Sequence, residues 1–205
     1  MAEAELVGTA IRLADVLDSF AGCFGLERRN VAYVSTPITT GRRYYDWLQS
    51  SGYSPDSGSD FQVAHAREVI AANQASAHAL VMTVRQTLGK TVVDPTALNV
   101  PTWTQADFHA FWTRLITDYV GTVVFNDGWE YSTGCCMEYA AALMCRATLL
   151  DAKLSPLQPK VALMLTNRAI GRLEKQGHAF GGLHTARDVI ERAVAGTATA
   201  RGGDQ

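Results

Sequence analysis

The stretch FNDGWEYSTGCCMEYAAAL, Phe125 to Leu143, decides how the chain is read. The apolar, β-branched run VGTVVFND leads into it, Gly128 and Trp129 break the run, and small residues from Ser132 open a helix, read here through Leu150. A strand feeding a helix through a short loop is half of a parallel β-α-β unit. Glu138 is the one carboxylate of that helix, and Cys135, Ala141, Ala142 and Cys145 lie three, four or seven positions from it. A carboxylate turned toward apolar surface costs several kcal/mol unless it has a partner, so its presence there asks for a reason.

The same alternation continues outward. NVAYVSTPI is a short strand closed by Pro37, and GKTVVDP has Gly89 as a helix stop, a strand through Val92 and Val93, and Pro95 as terminator. Between them, Phe61 to Leu88 has helical spacing with a break near Asn73, and TQADFHAFWTRLITDY is a helix capped at Thr104. Leu6, Ala10, Leu13, Leu17 and Phe20 give residues 3–20 an amphipathic face, while KVALML reads as the head of a helix in preference to a strand. TTGRRYYDWLQSSGYSPDSGSD reads as an irregular loop with a helical turn at 44–49, and AGTATARGGDQ as a disordered tail.

This order predicts an α/β fold: a doubly wound, mainly parallel sheet, Rossmann-like or flavodoxin-like, with extra N- and C-terminal helices. It divides into an N-terminal helical extension (1–24), an α/β core (30–152) with a loop or lid insertion at about 42–66, a C-terminal helical region (155–195) and the tail (196–205).

With 205 residues, 47% hydrophobic and 19% charged, the composition is that of an ordinary globular protein able to bury a core. A net charge of −2 with no basic stripe argues against a nucleic-acid polymer as partner. Cys23, Cys135, Cys136 and Cys145 lack a zinc-type spacing, and the adjacent pair suits reduced thiols of a cytoplasmic protein. The acidic start is unlike a signal peptide and no apolar run has membrane-spanning length, so neither export nor anchoring is expected. His65, His78, His178 and His184 have no metal-ligand spacing, and no metal or other cofactor is expected.

In such sheets ligands sit beyond the carboxyl ends of the strands, where two loops look equipped for binding. Ser132 is a good N-cap, and with Thr133 and Gly134 the helix start is also a site for an anion such as phosphate. Glu138 follows six residues on, roughly 9 Å along a helix axis, about the span from a 5′-phosphate to the anomeric region of its sugar. STPITTGRR offers the hydroxyls of Ser35, Thr36, Thr39 and Thr40, the flexible Gly41, and Arg42 and Arg43, a set that suits an oxyanion. Tyr33, Tyr44, Tyr45, Trp47 and Trp129 are candidates to stack on a base.

YVSTPITTGRR, VVDPTAL and FNDGWEYSTGCCMEYAAAL together resemble the nucleoside 2-deoxyribosyltransferase-like superfamily, nearest its nucleoside 5′-monophosphate N-glycosidases. The resemblance covers residues 31 to about 150 with gaps, and Gly128-Trp129, Ser132, Gly134 and Glu138 are its specific part. It implies that Glu138 is a nucleophile attacking the anomeric carbon. It also implies that Ser132, standing where free-nucleoside transferases carry an aspartate, admits a phosphate, and that Ser35, Ile38, Gly41 and Arg42 contact phosphate and ribose. The implied activity is hydrolysis of the base–sugar bond of a ribo- or deoxyribonucleotide; the alternatives are a nucleotide-binding or signalling module without catalysis, or a base-exchanging transferase. The implied assembly is a homodimer or larger homo-oligomer, with a small-molecule nucleotide as partner. One departure stands out: the superfamily's second acid falls near Thr113, which protonates nothing. Asp107 and Asp118 flank that place, His109 lies one turn away, and Asp127 at the strand's end is a further candidate.

Overall fold

The computed structural model describes the backbone of residues 2–178, 180 and 182–202, and the side chains of 13–178, 180 and 182–196. Its centre is a four-stranded, all-parallel sheet in the order β2-β1-β3-β4: β1 Val31–Ser35, β2 Thr91–Val93, β3 Val120–Phe125 and β4 Thr148–Asp151. The helices are α1 Ala2–Phe24, α2 Arg42–Ser51, α3 Gly58–His65, α4 Ala71–Leu88, α5 Gln105–Tyr119, α6 Thr133–Met144, α7 Pro159–Gln176 and α8 Leu183–Gly202.

Strand alternation sorts the core onto two faces. Ala32 and Val34 of β1 and Val124 of β3 pack with Leu80, Val81 and Val84 of α4. Val31 and Tyr33 of β1, with Val123 and Phe125 of β3, face the larger cluster built by α5, α6, α7 and α8. α5 starts from a full capping box, in which Thr104 Oγ1 accepts the Asp107 amide and the Asp107 carboxylate accepts the Thr104 amide, and it buries Phe111, Trp112, Leu115 and Ile116. α1 covers α5, where Phe20 meets Phe111 edge-on at 5.5 Å. The side chains of Leu6 and Ala10 lie outside the described residues.

Three expectations are corrected. The helix expected through Leu150 stops at Met144, and 148–151 form β4. Arg146 takes a left-handed φ of 60° there, its amide bonds to Leu143 O and that of Ala147 to Ala142 O. This Schellman closure uses an arginine where glycine is usual, so no sequence stop marks it. The supposed loop at 42–66 is mostly helix: α2 and α3 are joined by a turn, and Trp47, Phe61, Ala64 and Val69 give them a small core of their own. α3 continues through a π-helical turn at Ala66–Ile70 into α4, so the irregularity lies ahead of Asn73. The tail continues α8 to Gly202, and residues 203–205 lie outside the described residues.

Gly121 occupies a bulge, since Val31 pairs with Val120 and Ala32 with Thr122. A Cβ at Gly121 would stand 2.0 Å from the carbonyl oxygen of Arg29. Gly121→Ala is therefore expected to cost about 3 kcal/mol by overpacking. Chemical denaturation checks this, and an unchanged midpoint would contradict the close approach.

Candidate functional site

A cavity of about 520 Å³ opens beyond the carboxyl ends of β1, β2 and β3. The loop after β1 contributes Thr36, Ile38, Thr39 and Thr40; the one after β2 gives Pro95 and Leu98; the segment after β3 gives Tyr131 to Cys135 and then Glu138. The β1 loop is held from outside. The Asn73 side-chain amide donates to Ile38 O at 2.9 Å and Thr40 O at 3.3 Å, and His65 Nε2 lies 2.8 Å from Thr39 O. Gly41 is needed in this loop: its φ is 90°, and a Cβ would meet Pro37 at 2.5 Å.

Glu138 is half-buried on the α6 wall and takes a hydrogen bond on each oxygen. The Tyr33 hydroxyl donates to Oε1 at 2.8 Å and the Ser35 hydroxyl to Oε2 at 2.6 Å. Tyr33 and Ser35 are two positions apart on β1, so they share the face turned to α6. Burial pushes the Glu138 pKa up to about 7, and the two hydroxyl donors oppose that rise by favouring the ionised form. Ser132 is the N-cap of α6: its Oγ accepts the Cys135 amide at 3.4 Å, and its residue lines the same cavity as Glu138. The first-turn amides of a helix have no partners within the helix, so this end favours negative charge. Cys135 lines the cavity as a thiol, its pKa pushed up to about 12 by burial and then by the nearby Glu138.

Ile38 and Gly134 line the cavity with Ser132 and Glu138. Ser35 and Tyr33 come to the site through their bonds to Glu138, and neither is among the residues that line the cavity. Gly41, Arg42 and Asp127 line a separate polar cavity of about 570 Å³, which shares Thr36 with the first. The loops after β1 and β3 approach closely here: a Cβ at Gly128 would meet Arg42 Cβ at 2.9 Å. Trp129 is core: its ring stacks on Tyr139 at 5.2 Å and tilts against Phe125. Tyr44 and Tyr45 line the first cavity, and Trp47 the second.

Asp107, Asp118 and Asp127, the carboxylates expected to supply the second acid, do not line this cavity. Asp107 is held in the α5 capping box, where the Thr104 hydroxyl keeps its carboxyl below the usual range. Asp118 lies near the far end of α5, paired with Arg114 at 2.5 Å. Sequence reasoning overlooked Gln105, Phe108 and Trp112, which line the cavity with His109 from one side of α5, as well as Tyr131 and Phe180. The i, i+4, i+7 spacing of Gln105, His109 and Trp112 was the available signal. It also overlooked Glu130, buried in the turn before α6, whose pKa burial raises while Arg42 pulls it down.

No protein-family model, curated protein or solved structure matches the chain. No group of His, Cys, Asp and Glu suited to a metal ion occurs among the described residues. No helix among them is long and apolar enough to cross a membrane.

Because the folded pKa of Glu138 lies above its ordinary value, its stability contribution is whole below the ordinary carboxyl range and is lost as pH rises through about 7. Glu138→Gln is thus expected to raise the melting temperature at about pH 8.5 and to change it little at about pH 5. Thermal melts at both values check this, and equal shifts would contradict a desolvated carboxylate.

Proposed function

We propose that the protein hydrolyses the base–sugar bond of a nucleoside 5′-monophosphate, with Glu138 as the nucleophile. The observation that carries this reading is the shared cavity of Glu138 and Ser132, a carboxylate and a helix start opening onto one space sized for a small ligand. The phosphate lies against the Ser132 hydroxyl and the first turn of α6, while the sugar's anomeric carbon faces Glu138. An ionised Glu138 oxygen attacks that carbon, the carbon–nitrogen bond breaks, and its electron pair leaves with the base. Water then attacks the same carbon, the ester bond breaks with its pair returning to Glu138, and a sugar phosphate is released with retained configuration. Tyr33 and Ser35 orient the carboxylate before attack and receive it again afterwards.

No lysine or arginine lines this cavity among the described residues, so the helix end and the hydroxyls carry the phosphate. The strand order β2-β1-β3-β4, with helices on both faces, accords with a Rossmann-like doubly wound sheet. On the same reading the protein works in the cytoplasm as a homodimer or larger homo-oligomer, without a cofactor, and base exchange replaces hydrolysis when a free base takes the place of water.

A second reading, a nucleotide-binding module without catalysis, is favoured by one observation: neither Asp107 nor Asp118 reaches the cavity. A chromatographic screen of ribo- and deoxyribonucleoside monophosphates separates the two. The expected result is liberated base from at least one nucleotide, falling roughly a thousandfold or more in Glu138→Ala. Saturable binding with no liberated base favours the module, and equal release by the variant rejects Glu138 as nucleophile.

The rate is expected to rise with pH and then fall, because the reaction needs Glu138 ionised and the donor to the departing base protonated. Tyr33→Phe removes a donor to the ionised form and moves the maximum to higher pH. Ser132→Asp places a carboxylate beside the phosphate and raises KM for the monophosphate by roughly a hundredfold, while a free nucleoside is spared. Initial rates against pH and substrate concentration measure all of these.

A further inference from the structure

Resting on the hydrolase reading, we infer that His109 is the acid–base residue of the cavity, positioned by Thr113, and that it protonates the departing base. Leaving a nitrogen heterocycle as its anion is slow, so a proton source on the base side is needed, and the flanking aspartates do not provide it. His109 lines the cavity from α5, the wall that also carries Gln105, Phe108 and Trp112, while Glu138 stands on α6. Its Nδ1 lies 3.3 Å from the Thr113 hydroxyl, one turn further along the helix. With Nδ1 engaged by Thr113, Nε2 is the nitrogen left for the ligand. The residue at the place of the superfamily's acid therefore acts through a neighbour on the same helix. Half-burial pushes the imidazole pKa down, which makes its imidazolium a stronger acid toward a weakly basic nitrogen.

The proton balance closes over the cycle. The imidazolium gives its proton to the base as the carbon–nitrogen bond breaks and the electron pair goes to nitrogen. The neutral ring then takes a proton from the water that attacks the anomeric carbon, as the ester's electron pair returns to Glu138. His109 ends protonated, as it began.

The test compares leaving groups. His109→Gln is assayed on a purine nucleoside monophosphate that the native protein cleaves and on its N7-methylated counterpart, whose cationic base departs without a proton. The expected result is a fall in kcat of roughly a hundredfold or more on the parent nucleotide, with the methylated one within a few-fold of native. Thr113→Val shows a smaller loss with the same selectivity. Equal losses on both nucleotides, or no loss on either, overturn the role of His109 and leave Glu138 untouched. Failure of the native protein to release base from any nucleotide overturns the hydrolase reading and this inference with it. Should His109→Gln melt out, Thr113→Val and His109→Asn carry the same comparison.

Discussion

The carboxylate of Glu138, held between two hydroxyls of β1 on the wall of a cavity, is the interaction on which the site depends. Taking an ionised carboxyl out of water is unfavourable, and here burial outweighs two donors, leaving a pKa of about 7. A group in that balance is neither a fixed surface charge nor a permanently neutral acid. Near neutrality it exists in both forms, and a ligand that favours one form moves the balance. Such a site costs stability at alkaline pH, and the well-packed core around Tyr33 and Tyr139 supplies the surplus that tolerates it.

The fold delivers this geometry through strand period and close backbone approach. β1 runs buried along its whole length, so its alternate residues divide between α4 on one face and α5 and α6 on the other. Tyr33 and Ser35 fall on the second face and reach α6 together. At the strand ends the loops after β1 and β3 meet at Gly41 and Gly128, where side-chain carbons would collide with Pro37 and Arg42. Asn73 and His65, from the α3–α4 rod, fasten the first loop from behind. The cavity wall is thus positioned by neighbours that do not line it.

Charge is divided between two adjoining spaces. The cavity of Glu138 is lined by hydroxyls, aromatic rings, His109 and a helix start, whereas Arg42, Arg43, Asp46 and Asp127 gather in the second. Arg42 partly offsets the buried charge of Glu130. The groups facing the first cavity are dipoles and hydroxyls, which are directional and short-ranged, so position counts there for more than net charge.

Contiguous residues determined much of this by themselves. The three strands at 31–35, 91–93 and 120–125 were legible from β-branched runs closed by proline or polar residues, and α5 from its cap. The block from Gly128 to Glu138 marked a helix start and a carboxylate on apolar surface, because capping and periodicity are properties of neighbours in sequence. The end of α6 was hidden, since Arg146 adopts a left-handed turn that its side chain does not announce. The tertiary structure alone decided that Tyr33 and Ser35, more than a hundred positions away, would hold Glu138, that Arg42 would turn to another cavity, and that His109 and not Asp107 would line the first. Local pattern fixes a side chain's direction relative to its own element, whereas its partners follow from how separate elements pack, and that is set by the whole core at once.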